Sequence, residues 1–526
     1  MSDTAPAPTT IGELIEAQAR AIPDKPYLLF GDRVVTYAQL NANVNRAANG
    51  LADLGVSGGA GVSIMMPNSP EWLFVYFGVQ KLGAYAVPVN VALRGEGLRH
   101  VVGHSDSSVL VCHPDYVDAI QEVADSLPAL RYIVIDTSET GPGYEAPADW
   151  IRLSDLMNTS AETPDAVVEM GAMSNIMYTS GTTGAPKGVV QRYRPLAPAN
   201  TGLAGGFYRS DEILYTCLPL FHANALFLTC QRALMSGLTV ALSQRFSASR
   251  FWDEVRRYKA TTFNALGAMI PILMKQPERE NDRDNRVGMV LSAACPASVW
   301  DAFEQRFGVR LLEAYGAVDG GGFGISNPGT SPRGSIGKPA TPIRIVDESG
   351  NDCAPGEPGE LLFKIDDPEA RRVEYYKNAE ASDAKVRDGW LHTGDLVYQD
   401  ADGNVFFADR KTDSMRRRGE NISSWEVERE INAHPAVLES AAFGVPSELG
   451  EDDVMVVAVL REGQKLMPEE LIAHCEKRMA KFMIPRYVEF RGELPKTGTH
   501  RVQKSELKRQ GVTAHTWDRE KATSRS

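Results

Sequence analysis

Residues 61–90 read GVSIMMPNSPEWLFVYFGVQKLGAYAVPVN and contain two apolar runs separated by a longer segment. The first run, at 62–66, leads into a turn and helix-cap signal at 68–70. The segment that follows has helical spacing, and its apolar face comprises Trp72, Val75, Tyr76 and Val79. The second run, at 84–89, completes a strand–helix–strand unit, which predicts a parallel sheet covered by helices.

The same alternation continues along the chain. Further apolar runs are SSVLVC (107–112), RYIVID (131–136), LTVALS (238–243) and VGMVLSA (287–293). The second half has more Gly, Pro and turn dipeptides, and ESGNDCAPGEPGELLF (348–363) predicts hairpins. We therefore expect an α/β protein with more than one sheet, followed by a small α+β region that ends near residue 510.

Composition limits the class of function. The chain has 526 residues, 43% hydrophobic and 23% charged, which is typical of a soluble globular protein with at least two domains. The net charge of −13 argues against a nucleic-acid partner. We find no secretory signal and no apolar run as long as a membrane span. The six cysteines form no CxxC pair, so we expect reduced thiols in a cytoplasmic protein.

Residues 179–188, TSGTTGAPKG, combine glycines, hydroxyls and one lysine. The segment does not fit the Walker A pattern, because Gly188 follows the lysine where that pattern has Ser or Thr. Glycines nevertheless allow backbone N–H groups to approach a phosphate closely, and Lys187 adds a positive charge. From these residues alone, a flexible surface loop and a phosphate-binding loop are both open.

Six segments occur in the order seen in the adenylate-forming superfamily, which includes acyl-CoA synthetases, luciferases and peptide-synthetase adenylation domains. They are TSGTTGAPKG (179–188), LPLFH (218–222), EAYGAVDGGG (313–322), GWLHTGDL (389–396), DRKTDSMRRRGENISSWEVE (409–428) and LPKTGTHRVQK (494–504). The resemblance covers nearly the whole chain. Details such as FNALGAMIP (263–271) and SAACP (292–296) most resemble the carnitine/crotonobetaine-type CoA ligases.

The resemblance implies a two-step ligase. A carboxylate attacks the α-phosphorus of MgATP to give an acyl-adenylate and pyrophosphate, and coenzyme A then displaces AMP to give a thioester. It implies an α/β fold with a large N-terminal adenylation domain of stacked sheets and a β-rich subdomain over 1–410. A mobile α+β domain over 411–510 and a flexible tail over 511–526 follow. A small-molecule carboxylate, ATP, Mg²⁺ and coenzyme A are the expected ligands, and a homodimer is a further expectation.

Site residues are carried over by position. The pyrophosphate clamp would comprise Thr179, Ser180, Gly181, Thr182, Thr183, Gly184 and Lys187. The nucleotide site would comprise Ala293, Ala294, Cys295, Tyr315, Gly316, Asp395 and Arg410, with Tyr315 against adenine and Asp395 on the ribose hydroxyls. The acyl pocket would comprise His222, Ala265, Leu266 and Gly267, with Ala293 shared. Arg418 and Gly419 would meet coenzyme A.

Two departures from the family pattern lie at the phosphate and Mg²⁺ contacts and at the hinge. The family usually has Thr and Glu where this chain has Val318 and Asp319. Valine cannot donate a hydroxyl contact to the α-phosphate, and aspartate is one methylene shorter as the Mg²⁺ ligand. At a hinge position where Asp or Lys is common, the chain has Thr412.

A third departure concerns the catalytic cation. The family usually has Gly-Lys where this chain has His500 and Arg501. Arginine keeps the positive charge and binds phosphate in a fork geometry, so Arg501 is one candidate for this role. Lys504 is the other.

Three functions stay open at this point. The chain is a carboxylate–CoA ligase, a nucleotide- or acyl-CoA-binding protein of the same fold with little turnover, or an enzyme that loads a carrier-protein thiol. Val318 and Arg501 favour the binding protein, whereas Lys187, Asp319 and Asp395 favour catalysis. The pattern does not identify the carboxylic acid.

Overall fold

The computed structural model describes residues 7–140, 144–179, 185–196, 209–266, 269–293, 295, 297–320, 322–347, 349–365, 373–410, 414–448, 450–495, 502 and 504–523. Its helices are Ile11–Ala21, Tyr37–Asp53, Pro70–Lys81, Gly95–His104, Pro114–Tyr116, Val117–Ala124, Leu153–Leu156, Asn224–Gln231, Arg232–Met235, Phe251–Arg257, Met269–Met274, Ala297–Phe307, Ala379–Lys385, Ser424–Asn432, Pro468–Arg478, Lys504–Gln510 and Arg519–Thr523. Asn224–Gln231 is π-helical and Pro114–Tyr116 is a 3₁₀ turn.

An eight-stranded sheet contains the strand–helix–strand unit that the sequence predicts. In spatial order its strands are Glu374–Tyr375, Lys187–Arg192, Met173–Thr179, Tyr85–Pro88, Gly61–Met65, Ser107–Cys112, Tyr132–Ile135 and Ile151–Arg152. The strands from Met173–Thr179 to Ile151–Arg152 are parallel, and Lys187–Arg192 returns antiparallel to its neighbours. The predicted parallel sheet is confirmed.

A nine-stranded sheet forms the second layer. In spatial order its strands are Lys338–Pro339, Gly322–Asn327, Arg310–Ala317, Met289–Ala293, Thr262–Leu266, Ile213–Thr216, Thr239–Leu242, Pro26–Phe30 and Arg33–Thr36. The strands from Arg310–Ala317 through Pro26–Phe30 are parallel. The four further apolar runs of the sequence all form strands of these two sheets.

The helix Pro70–Lys81 begins where the sequence signal places it. Ser69 caps it by accepting a hydrogen bond from the backbone N–H of Trp72 at 3.1 Å. The sequence predicts a helix with one apolar face, but every residue of this helix is buried. The reason is its position in one continuous core with residues of both sheets, such as Val62 and Tyr215.

The β-rich part is a five-stranded sheet of Ile343–Val346, Gly359–Lys364, Trp390–Gln399, Val386–Arg387 and Val405–Arg410. The C-terminal part has its own core, to which a hairpin, a four-stranded sheet and the helices Ser424–Asn432 and Pro468–Arg478 contribute. The hairpin strands are Ser414–Arg417 and Glu420–Ser423, and the sheet strands are Val437–Pro446, Asp452–Leu460, Tyr487–Arg491 and Trp517–Asp518.

The end of the chain differs from the prediction of a flexible tail over 511–526. Trp517–Asp518 pairs with the strand Tyr487–Arg491, and Arg486 lies 3.3 Å from the carboxylate of Asp518. The apolar signal of this segment is weak because a two-residue strand and ion pairs of Arg486 with Asp518 and Glu520 hold it in place. This part of the tail belongs to the C-terminal sheet.

No helix among the described residues is both long enough and apolar enough to span a bilayer.

Candidate functional site

The predicted pocket residues lie at the carboxyl ends of adjacent parallel strands. Leu266 ends one strand and faces Ala293, which ends the next. The third strand, Arg310–Ala317, carries Tyr315 and Gly316 near its own end. Because ligands of open α/β sheets bind at this edge, the sheet itself brings these segments to one place. Ala265 precedes Leu266 and is fully buried, while Gly267 and Ala294 lie outside the described residues.

Cys295 is placed differently from its predicted neighbours. Its side chain is buried in the main core, and its backbone N–H donates to Glu313 at 3.3 Å. Burial raises the pKa of the thiol well above its usual range. The thiol of Cys295 is therefore a neutral part of the core.

Tyr315 and Asp395 meet directly, although they are 80 residues apart in the chain. The hydroxyl of Tyr315 donates to Oδ2 of Asp395 at 2.5 Å, and Phe363 stacks on the tyrosine at 6.3 Å between centroids. Asp395 is also the cross-strand partner of Arg410. The backbone thus brings three of the predicted nucleotide-site residues, Tyr315, Asp395 and Arg410, together. The Arg410 side chain lies outside the described residues.

The two ends of the predicted phosphate clamp lie opposite each other. Thr179 and Lys187 are partners in an antiparallel pair of strands. The Lys187 ammonium lies 5.2 Å from the centre of the Tyr375 ring. Ser180, Gly181, Thr182, Thr183 and Gly184 lie outside the described residues.

Asp319 is held by two residues that the sequence did not single out. Its Oδ2 accepts from the Tyr375 hydroxyl at 2.8 Å and from the Lys385 ammonium at 3.3 Å. Lys385 also donates to the Thr393 carbonyl at 3.1 Å. Burial alone raises the pKa of Asp319, but the Lys385 charge and the hydrogen bonds outweigh it and hold the pKa below its usual range.

This ionised carboxylate suits a hard cation such as Mg²⁺, which prefers oxygen ligands. Both hydrogen bonds go to Oδ2, which leaves Oδ1 as the candidate metal ligand. Val318, beside it, packs its apolar side chain against the cluster that includes Tyr315 and Tyr375. The valine therefore completes an apolar wall where the family pattern has a hydroxyl.

The hairpin of Ser414–Arg417 and Glu420–Ser423 reaches the sheet edge at which Leu266 and Ala293 lie. Its two-residue turn is Arg418 and Gly419, both in the left-handed region with φ of 54° and 81°. A Cβ added at Gly419 would lie 3.3 Å from Cδ1 of Leu266. Next to the turn, Oε2 of Glu420 lies 3.0 Å from Nε2 of His222. The hairpin tip therefore contacts two predicted acyl-pocket residues.

Glu420, Tyr375 and Lys385 are the site residues that sequence reasoning missed. Glu420 could have been predicted from the sequence, since it follows Gly419 within a segment that carries the family resemblance. Tyr375 and Lys385 had none, because they are 56 and 66 residues from Asp319 and share no spacing with it.

Of the two candidate cations, only Lys504 belongs to the part of the chain that the structure describes. Lys504 lies 2.7 Å from Oε1 of Glu428 and donates to the Ser424 hydroxyl at 2.7 Å, and both partners belong to the helix Ser424–Asn432. Lys504 is thus engaged within the C-terminal part. Arg501 lies outside the described residues.

The chain is similar to known proteins over most of its length. The family described as AMP-binding enzyme matches residues 15–366, and the AMP-binding enzyme C-terminal domain matches residues 426–501. A crotonobetaine/carnitine–CoA ligase of Salmonella paratyphi C is 34% identical over 509 residues, which cover 92% of this chain and 96% of that protein.

Two solved structures of one enzyme, the o-succinylbenzoate CoA synthetase of Bacillus subtilis, are similar to different degrees. A double mutant bound with the product analogue OSB-NCoA has a TM-score of 0.79 at 26% identity, covering 95% of this chain and 98% of its own. The complex with the acyl-adenylate intermediate OSB-AMP has a TM-score of 0.64 at 27% identity, covering 94% and 97%.

Proposed function

The chain belongs to the AMP-binding enzyme family and is a carboxylate–CoA ligase that works through an acyl-adenylate, with ATP and coenzyme A as co-substrates; we propose which of its residues serve adenylation and which serve thioester formation. The observation that carries the proposal is the meeting of three adjacent strand ends with the hairpin tip. There Leu266 lies between Ala293 of the neighbouring strand and Gly419 of the C-terminal part.

In the first step, Asp395 and Tyr315 hold the adenosine moiety. A carboxylate can accept from both ribose hydroxyls, and the Tyr315 hydroxyl orients it at 2.5 Å. Lys187 neutralises phosphate charge, which dominates a reaction between two anions. Asp319 would hold Mg²⁺, and the ion when bound would add further neutralisation. Tyr375 and Lys385 keep Asp319 ionised and oriented.

The second step uses the hairpin tip. Gly419 approaches the acyl-pocket wall at Leu266, Arg418 precedes it in the turn, and Glu420 contacts His222. This arrangement of the C-terminal part suits thioester formation. The likeness to the synthetase complex with a CoA product analogue, which has the higher TM-score of the two, supports this assignment.

Gly419→Val should impair thioester formation selectively. A β-branched residue at φ of 81° is strained by roughly 1–2 kcal/mol, and its Cβ would crowd Leu266 at 3.3 Å. We expect coenzyme A-dependent turnover of pre-made acyl-adenylate to fall at least tenfold, while pyrophosphate exchange changes little. Gly463→Val, at φ of 74° in a turn with open space around it, is the matched control. Equal loss in both half-reactions would contradict the assignment.

Lys385→Met should slow adenylation. The substitution keeps the length of the side chain but removes the ammonium that lies 3.3 Å from Asp319. Hydrogen bonds to charged groups are worth about 1.5–3 kcal/mol, so we expect pyrophosphate exchange to fall roughly 10- to 100-fold. Lys25→Met, which removes a bond to the Ser210 carbonyl, is the control. Wild-type pyrophosphate exchange in Lys385→Met would show that Lys385 does not support adenylation.

The acid substrate is found by a thioester-formation screen over short-chain, medium-chain, aromatic, betaine-type and steroid carboxylates. The betaine type has priority because the curated relative at 34% identity acts on crotonobetaine or carnitine. Carboxylate-dependent pyrophosphate exchange separates the ligase from a binding protein of the same fold. Turnover with free coenzyme A separates it from an enzyme that loads a carrier protein.

We also propose an adenylation domain over 1–410, a mobile C-terminal domain from 411 onwards, and a cytoplasmic homodimer. The six cysteines are scattered along the sequence and form no CxxC pair, which supports a reducing compartment. Light scattering of the purified chain tests the dimer.

A further inference from the structure

One helix face contacts both strand ends that flank the predicted phosphate clamp. His100 and His104 lie one turn apart on the helix Gly95–His104, and their rings stack at 5.1 Å between centroids. Nδ1 of His104 lies 2.7 Å from the Tyr178 hydroxyl, and Nε2 of His100 lies 3.0 Å from the Pro186 carbonyl. Tyr178 precedes Thr179, and Pro186 precedes Lys187.

The directions of these hydrogen bonds follow from the chemistry of the partners. A carbonyl only accepts, so Nε2 of His100 carries a hydrogen and donates to Pro186. Burial raises the pKa of Tyr178, which keeps its hydroxyl protonated. Burial, together with the His100 and Lys377 charges, lowers the pKa of His104. Nδ1 of a neutral His104 therefore accepts a hydrogen bond from the Tyr178 hydroxyl.

The helix is a rigid base for these contacts. Leu98, Val101 and Val102 are buried in a core cluster that also contains Ile176 of the strand leading to Thr179. Tyr376 packs edge-on against His104 at 5.6 Å between centroids. Neither histidine has a place in the sequence motifs or in the two reaction steps described above.

We propose that His100 and His104 are positioning residues that fix the two strand ends carrying Thr179 and Lys187, and so set the affinity of the site for the triphosphate of ATP. This inference rests on the proposed role of Lys187. A displaced strand end would move the Lys187 ammonium relative to the phosphates, and charge attraction weakens with distance. The acyl pocket and the hairpin tip lie on other elements, so the second step should not depend on the pair.

The test uses full-length variants and both half-reactions. His104→Phe keeps the ring and its packing but removes the acceptor, and His100→Leu removes the donor. Each should raise the KM for ATP in pyrophosphate exchange about three- to tenfold, as expected for one lost hydrogen bond. Turnover of pre-made acyl-adenylate with coenzyme A should stay at the wild-type rate. His100→Gln places an amide donor near the Nε2 position and should restore most of the ATP affinity.

Arg99→Ala is the control on the same helix, because Arg99 is half exposed and pairs only with Glu96 among the contacts of this helix. Lys187→Ala provides the reference for a lost phosphate contact. If Lys187→Ala weakens ATP binding but His104→Phe and His100→Leu keep the wild-type KM, the positioning role is wrong and the proposed function stands. A lower melting temperature with no change in KM would likewise reduce the pair to a structural role. Absence of exchange in the wild type would overturn the proposed function and this inference together.

Discussion

Asp395→Ala should abolish measurable ATP binding in a chain that still folds. The carboxylate is positioned to accept both ribose hydroxyls, and each such charge-assisted hydrogen bond is worth ~1.5–3 kcal/mol. Losing both corresponds to a drop on the order of 10²- to 10⁴-fold in ATP affinity. The substitution also deprives the Tyr315 hydroxyl of its partner at 2.5 Å, which loosens the aromatic wall proposed to face adenine. Titration calorimetry with ATP measures the effect.

A matched control lies in the next turn of the same sheet. Asp402 is exposed, and its backbone N–H donates to Oδ1 of Asp400 at 3.0 Å. Asp402→Ala should therefore bind ATP as the wild type does. Wild-type affinity in a folded Asp395→Ala variant would show that the ribose is held elsewhere.

Arg501→Ala should depress acyl-adenylate formation while sparing thioester formation from pre-made acyl-adenylate. A cation between two approaching anions matters only while the phosphoryl bond is exchanged, and removing one such electrostatic contact costs on the order of 10²- to 10³-fold. Lys504→Ala should be nearly silent in both half-reactions. The structure adds a reason, because Lys504 lies 2.7 Å from Glu428 and is already neutralised within the C-terminal part.

Both variants are measured by pyrophosphate exchange and by coenzyme A-dependent turnover of the adenylate. Arg501→Lys should retain most of the exchange, since it keeps the charge but loses the fork geometry. Loss of exchange in the Lys504 variant alone would transfer the role to Lys504. Full activity in both variants would mean that a cation on another element neutralises the two anions during adenylation.

The sequence predicted the sheets well because their apolar runs are local signals. SSVLVC (107–112) is a strand over its full length, and the run at 287–293 contains the strand Met289–Ala293. The all-round burial of the helix Pro70–Lys81 was not predictable, since it depends on a second sheet built from distant segments. The strand Trp517–Asp518 was missed because two residues carry no periodicity.

The site was predictable where a residue lies in a motif and unpredictable where it acts through a distant contact. The glycine-containing segments indicated Tyr315, Asp395 and Gly419 one by one, but not the bond between Tyr315 and Asp395. The contact of His222 with Glu420 joins residues 198 positions apart. Such pairs are set by packing between elements, which no single-sequence spacing encodes.

Transfer of an oxygen atom from the acid to AMP tests whether the reaction proceeds through an acyl-adenylate. With a carboxylate from the screen labelled with ¹⁸O in both oxygens, attack on the α-phosphorus must leave one labelled oxygen on AMP when coenzyme A takes the acyl group. We expect one ¹⁸O per AMP and none in pyrophosphate, measured by mass spectrometry of a reaction with the full chain. Unlabelled AMP, or ADP and labelled phosphate as products, would contradict an acyl-adenylate route.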